Sequence, residues 1–529
     1  FLSAAICAAN SAASWLCATS ITSTTTAGVV AGDYVLVYST DAWPVGDTGG
    51  SRYMGAIHRA RSITSSTAMV MMDGAFFPMT TAAGLSFKKL TPVTDVTINK
   101  LYVRMGGTNK AHCGVRMKYA VRCRLIDCKT TETEDCGVRA DTALSCGVYG
   151  GEFTNCRSPG DGSSGVTGTT GYGVNPAAAT RDFEVIGASF SGCRHAVSGG
   201  GTYPSIASRI VRNYVAGGRE PSLTANYSLD CHEDCLYWLF EGNHVNGDVN
   251  STGSGGIQVR GVKTTVSNNT ISNCFQYGVY VKNFNNPGNS YGTLISGNTI
   301  NGCRLDAIVV EGSATSPQYD IVIRGNYVTA GGEGITLFGT ERASITGNFI
   351  KAQTGASKSA IRLAGTAAST GNRCKDINIS GNYSTAPTLN GIRADYAENV
   401  VIVGNTLTAA PSDTISLTTC KNISISGDKL STTYNFGSAV ALSACIGVAV
   451  NGVTAENTGA ASSNASGVYI SGASTDIAVA GCHFKTFNRG VFSAAPANYI
   501  SVTGVNARTS VTATVDVSAS ANTASAGNL

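Results

Sequence analysis

The acid–base chemistry in this chain is concentrated where its charge is otherwise sparse. Asp230, His232, Glu233 and Asp234 fall within five residues of SLDCHEDCLYW (228–238), and His195 stands in CRHAVSGG (193–200), with His244 a little further on. A carboxylate beside an imidazole is a pairing used in general acid–base catalysis: the carboxylate orients the ring and the ring carries the proton. Asp230, His232 and Glu233, with His195 positioning them, form the first candidate catalytic group. The alternative is a hydrogen-bonded polar cluster that stabilises two irregular segments. A second group is Asp306, Glu311 and Glu333, in LDAIVVEG and GEGITLFG. Paired carboxyl groups about 5–9.5 Å apart are what glycoside hydrolysis uses, and sharing one location raises the pKa of one of them. A solvated pair of turn residues is the alternative here.

The elements that must hold these residues announce themselves by repetition. GGIQVRG is followed by TTVSNNTISNC, YGVYVKN by GTLISGNTINGC, EGITLFG by ASITGNFI, and NGIRADY by NVVIVGNTLTA. The small residues Gly114, Gly137, Gly173, Ala196, Ser228, Gly256, Gly278, Ala307, Gly334, Ala360, Gly391, Thr414, Ala439, Gly467 and Gly490 recur about every 27 residues, a period characteristic of stacked repeats. A second marker keeps step with them: Asn243, Asn269, Asn298, Asn326, Asn348, Asn382, Asn405, then Asp428. Within a unit, GIQV, VYV and ITL alternate with the period-2 pattern of strands, and Gly, Asn, Asp and Ser separate them. Two or three short strands per unit, stacked about 4.8 Å apart, predict one rung of a parallel β-solenoid. The recurrent Asn is expected in a tight turn, in the left-handed conformation, bonding the Asn of the rungs on either side.

The repeat serves as a ruler. It places Asp230 in an outward column with Arg116, Arg139, Asn175, Ser198, Gln258 and Tyr280, and His232 in one with Asp141, Arg260, Lys282 and Glu311. Aligned polar columns make a groove suited to an extended polar ligand such as a glycan. Arg139, Arg260, Lys282 and Tyr280 are substrate-binding candidates on this ground. Tyr227 and Trp238, beside the His/Asp cluster, join them as sugar-stacking surfaces, with burial under loops as the alternative. Asp306 and Glu333 occupy the same place in consecutive rungs. Arg116, Arg139, Arg362 and Arg393 each follow a small–hydrophobic pair and are suited to neutralising an acidic sugar, or to standing in solvent.

Composition narrows the reading further. The 529 residues include 63 Gly and 13% charged residues, with a net charge of +4, too weak to argue for a nucleic-acid partner. No apolar run reaches the ~18–20 residues of a membrane-spanning helix. The 17 cysteines include Cys156, Cys193, Cys274 and Cys303, which recur in one column and read as buried thiols acting as small hydrophobes. Their odd number and lack of a tight framework suggest assembly in a reducing cytoplasm. Cys231 and Cys235 lack Cys-x-x-Cys spacing, and no metal or other cofactor is expected.

Residues 1–95 do not share the period and are expected to form a β-rich N-terminal cap. The repeats run from 96 to 505, and 506–529 form a last strand or a linker. The opening FLSAAICAANSAASWLCATSI resembles a signal-peptide core without its basic segment and reads as a cut within a longer protein. Gly/Ser-rich insertions at 158–173, 199–208, 218–228 and 283–292 break the rungs, and insertions in solenoids favour the binding face. Three of the four fall within 158–228, which points to a working surface there.

The rung phrase with its Asn ladder resembles the right-handed parallel β-helix of the pectate-lyase-like superfamily over about 96–505. More narrowly, AGDYVLVYS, GAIHRARSI and KKLTPVTDVTINKLYV, followed by CRHAVSGG and DCHEDCLYWLFEGN, are similar to bacteriophage tailspike or tail-fibre capsule depolymerases. The resemblance implies an all-β, right-handed, single-stranded parallel β-helix that assembles as a homotrimer in the host cytoplasm. It also implies a virion location through a missing N-terminal attachment region, and a bacterial capsular polysaccharide as substrate. The expected activity is endo-glycosidic hydrolysis; elimination by a lyase, or glycan binding without catalysis, are the alternatives. The chain departs from the calcium pectate lyases in lacking a set of acidic ligands with a neighbouring catalytic Arg.

Overall fold

In a computed structural model the described residues are 20–22, 28–42, 53–73, 86–105, 113–156, 171–217, 226–282, 291–313, 316–351, 355–365, 373–459, 465–494, 497–508, 513–517 and 521–526. They are strands and turns, with no helix among them. Most of the opening segment and most of the insertions at 158–173, 218–228 and 283–292 lie outside them. The chain divides into two compact units: residues 1–265 with 284–290, and residues 266–283 with 291–529.

In the first unit an antiparallel sheet of Tyr34–Ala42, Tyr53–Ser65, Ala68–Met71 and Ser86–Leu90 precedes the rungs. Leu36, Ile57 and Leu90 of this sheet pack with Val121, Leu144 and Ala179 of the rungs. Polar contacts tie the same junction: Arg122 donates to the Tyr34 hydroxyl at 2.9 Å and Arg181 to the Ile57 carbonyl at 3.0 Å. From Thr97 the chain winds in three parallel ladders. The first runs from Thr97–Asn99 to Leu239–Glu241 and the second from Tyr102–Arg104 to His244–Asn246. The third stacks Val115–Lys118, Cys136–Asp141, Tyr172–Pro176, His195–Ser198, Asn226–Cys231 and Ser254–Val259.

The second unit repeats the arrangement, its third ladder running from Val279–Lys282 to Ala513–Asp516. Inward Ile, Val and Leu alternate with outward polar residues, as in Gln318–Arg324, where Ile321 and Ile323 are buried and Asp320 and Arg324 exposed. That alternation, with Gly or Asn at each corner, makes these sequences strands rather than helices.

The asparagine ladder forms as expected, with one correction. Asn298, Asn326, Asn348 and Asn382 each accept the amide of the preceding member at 2.9 Å and donate in turn to a strand carbonyl. The left-handed residue is not the Asn but the one before it: Gly297, Gly325, Gly347 and Gly381 have φ of 60–65°. The Asn itself is buried, its side chain replacing backbone partners at the turn. Asn213, paired with Asn243, is a member that the Gly-Asn pattern passes over because Arg212 precedes it. The series ends at Asp428, whose Oδ1 takes both Asn405 donors at 2.7 and 2.9 Å. Its Oδ2 is buried without a hydrogen-bond partner. In the other members that position carries an NH2 aimed at a strand carbonyl, which by register is here that of Ile402.

Candidate functional site

The two irregular rungs meet in the first unit. Ser198 lies opposite Asp230, and Asp230 opposite Gln258, on the third ladder; Arg116, Arg139 and Asn175 share their column, as the ruler indicates. The insertion at 199–201 presses against the segment after Asp230. A side chain at Gly199 would enter the Trp238 ring, and a Cβ at Gly200 (φ 133°) would come within 2.9 Å of His232 Nδ1. The amide of Gly201 donates to Asp234 at 2.7 Å. This fit explains why glycines interrupt the rung there.

Asp230 is the hub and is wholly buried (0% exposed). Arg260 grips its carboxylate through Nε at 3.3 Å and through a terminal nitrogen, and reaches Glu233 at 3.2 Å. His232 Nε2 is 3.1 Å from Asp230 Oδ2. Burial would raise the Asp230 pKa, but Arg260 and the two histidines outweigh it and hold the carboxyl well below the usual range. Arg260, although penalised by burial, is held charged by Asp230 and Glu233. Asp230 therefore stays ionised and cannot reach a ligand: it positions and does not itself transfer a proton to substrate. His232 does reach the surface, its side chain 19% exposed.

His195 is buried, its Nδ1 donating to the Tyr227 carbonyl and its Nε2 4.0 Å from Asp230. Burial pushes its pKa down to about 3 against the pull of Asp230, so it stays neutral. Glu233, almost fully covered, is tied up by Arg260. Two stacking expectations are corrected. Tyr227 (0% exposed) and Trp238 (1%) are core residues, the Trp238 indole donating to the Ser205 carbonyl at 3.1 Å. The inward parity of Tyr227 and the closure of the 199–201 loop bury them, so neither meets a sugar. His244 lies away from the cluster, stacked on Tyr214 at 5.3 Å.

Two neighbours escaped the sequence reading. Tyr172 faces His195 across one rung, the rings 5.4 Å apart, and meets His232 edge-on at 6.5 Å. Burial pushes its phenol up to about 12, so it keeps its proton. Arg194 lies over the Tyr172 ring at 6.0 Å. The signal was available, since Tyr172 precedes Gly173 as His195 precedes Ala196. Further along the face, Asp141 joins Arg116 at 2.8 Å to Arg139 at 3.0 Å, and both arginines remain partly exposed.

The remaining candidates belong to the second unit. Glu333 donates its backbone amide to Asp306 Oδ1 at 2.7 Å, and Thr336 donates to Oδ2 at 2.9 Å. Glu333 is buried, accepts from the Ser359 amide and lies 3.5 Å from Arg362, so the pair is not a solvated turn. Burial raises the Glu333 pKa against the Ser359 bond. Glu311 bonds the hydroxyl of Tyr280, lies opposite Lys282, and is also raised by burial. Tyr280 is itself buried and so presents no stacking face. Five residues of extended chain put Glu311 roughly 15 Å from Asp306 along the strand, which separates it from the Asp306–Glu333 pair.

Comparison with known proteins adds the following. Residues 255–430 match the family model described as the right-handed β-helix region. The chain is an all-β, right-handed parallel β-helix. No curated protein matches its sequence. Similar solved structures include the tailspike protein gp49 of Pseudomonas phage LKA1, with 14% identity over 82% of this chain and 63% of that one, TM-score 0.46. The tailspike gp61 of Pseudomonas phage phi297 aligns at 13% identity over 91% and 62%, TM-score 0.42. The tailspike of E. coli bacteriophage HK620, solved with a hexasaccharide, aligns at 12% over 73% of each chain, TM-score 0.43. The β-helix thus spans somewhat less than two thirds of the length of the two Pseudomonas phage proteins.

Proposed function

We propose that the chain binds an extended acidic glycan along the outward face of its third ladder and cleaves it, with His232 as the group that moves the proton. The observation that carries this is the 3.1 Å contact between a partly exposed imidazole and a wholly buried carboxylate fixed by Arg260. A buried ionised carboxylate fixes the orientation and tautomer of a neighbouring imidazole. Among the described residues around His232 the carboxyl groups are buried, whereas a phenol that keeps its proton and a cation are present. Those groups suit β-elimination. His232 takes the proton α to a uronate carboxylate, electrons move to form the ring double bond, and the bond to the leaving sugar oxygen breaks. Tyr172 returns a proton to that oxygen, and Arg194 offsets the carboxylate charge.

Hydrolysis is the second reading, supported by the pKa of Glu333, which burial raises toward the form a general acid needs, and by the carboxyl of Asp306 bonded to its backbone amide. The resemblance of the lead-in and of the rungs at 193–200 and 228–238 to phage capsule depolymerases supports a bacterial surface polysaccharide as the glycan, a trimeric assembly and a place on the virion tail. The test is incubation with a panel of capsular polysaccharides and analysis of the products. Elimination yields ultraviolet-absorbing unsaturated ends. Hydrolysis yields reducing ends alone and would move the active centre to the carboxyl pair. Binding without shortening would make the chain a receptor fibre and overturn both readings.

A further inference from the structure

We infer that Cys113, Asp135 and Cys136 form a metal site for a thiophilic divalent ion, zinc being the natural occupant, at the start of the third ladder. Cys113 and Cys136 precede equivalent glycines in consecutive rungs, so their backbones lie about 4.8 Å apart. Asp135 sits between them: the Cys113 thiol donates to its Oδ2 at 3.0 Å and the Cys136 thiol to its Oδ1 at 3.4 Å. The two sulfurs and a carboxylate oxygen all lie within 4.8 Å of one another. A four-coordinate zinc ion with bonds of about 2.0–2.3 Å draws its ligand atoms to within about 4 Å of one another, a small contraction from this arrangement.

The donor set decides the metal class. Two thiolates and one carboxylate select zinc or a similarly soft ion over magnesium or calcium. Charge agrees. Three anionic ligands and a dication leave one negative charge, and the Arg139 guanidinium stands 3.7 Å from Asp135 to offset it while bonded to Asp141. Access agrees too, because Cys113 and Asp135 are partly exposed whereas Cys136 is buried. The other described cysteines are buried and outside any disulfide, and no second group of this kind occurs among the described residues. An ion here would staple two consecutive rungs of the third ladder.

The experiment titrates the intact, reduced chain with cobalt(II), whose thiolate complexes absorb characteristically, and then displaces it with zinc. The expected result is a thiolate-to-cobalt band saturating at one ion per chain, abolished by zinc, with two protons released per ion bound. Loss of a direct ligand costs at least what loss of its outer partner costs, about 10–100-fold in affinity, so Cys113→Ser and Asp135→Asn each weaken binding by that much or more. Asp135→Asn keeps both thiols and the side-chain shape, and serves if Cys113→Ser folds poorly. Absence of the band, or a band of unchanged affinity in Asp135→Asn, would overturn the assignment.

Discussion

The two acidic centres of the chain stand on the same kind of strand and face opposite electrostatic fates. In the first unit Asp230 is buried beside Arg260, and both remain charged; His232 reaches solvent. In the second unit Glu333 and Glu311 are pushed toward the protonated form by burial. One arrangement fixes a charge in order to orient a base. The other leaves carboxyl groups that can carry protons themselves. Each centre has an arginine near it, but Arg260 grips Asp230 through two nitrogens, whereas Arg362 stays 3.5 Å from Glu333 and does not offset its burial.

The contrast can be broken at several points. Replacing His232 with Gln should lower glycan cleavage by about 10²–10⁴-fold, the usual worth of a positioned acid–base group, with circular dichroism unchanged. Asp230→Asn should leave Arg260 short of a partner and cost about 3–5 kcal/mol of stability in denaturant titration, as for one half of a buried ion pair. Glu311→Gln, at a half-buried position, should stay within about 0.5 kcal/mol.

Asp428 tests the scaffold itself. Its pKa is raised to about 6, from 3.8, by burial, which outweighs the two bonds from Asn405. The folded state therefore holds the proton more tightly than the unfolded state. That stabilisation is complete below about pH 4 and is lost as pH rises through 6, at about 1.4 kcal/mol per pKa unit. Asp428→Asn should raise the unfolding temperature at pH 8 and change it little at pH 4; equal effects at both would refute the account. Asn326→Ala should cost about 1–3 kcal/mol by leaving ladder partners unpaired, with cleavage retained.

Much of this was legible in the sequence, for physical reasons. A stack imposes one register on every rung, so the small-residue and Asn markers located the ladder positions, and Ser228 does stand beside Ala196 and Gly256 in the third ladder. Pattern also isolated 193–200 and 228–238 as the rungs that differ. What the pattern could not give was depth. Asp230 sits on an outward column and is nonetheless buried, with Arg260 and His232 packed on its carboxylate. The 199–201 loop closes over Trp238, and Arg260 consumes the charge of Glu233 from the next rung. Tyr172 was passed over because aromatic residues at strand starts look like core; its partnership with two histidines arises only when rungs stack.

The most direct test of the central claim is the initial rate of polysaccharide shortening by His232→Gln and Glu333→Gln measured side by side with the unmodified chain. If His232 moves the proton, the first variant loses cleavage and the second keeps it, and the products of the unmodified chain absorb in the ultraviolet. Cleavage retained in His232→Gln and lost in Glu333→Gln would contradict the account and place the chemistry on the carboxyl pair.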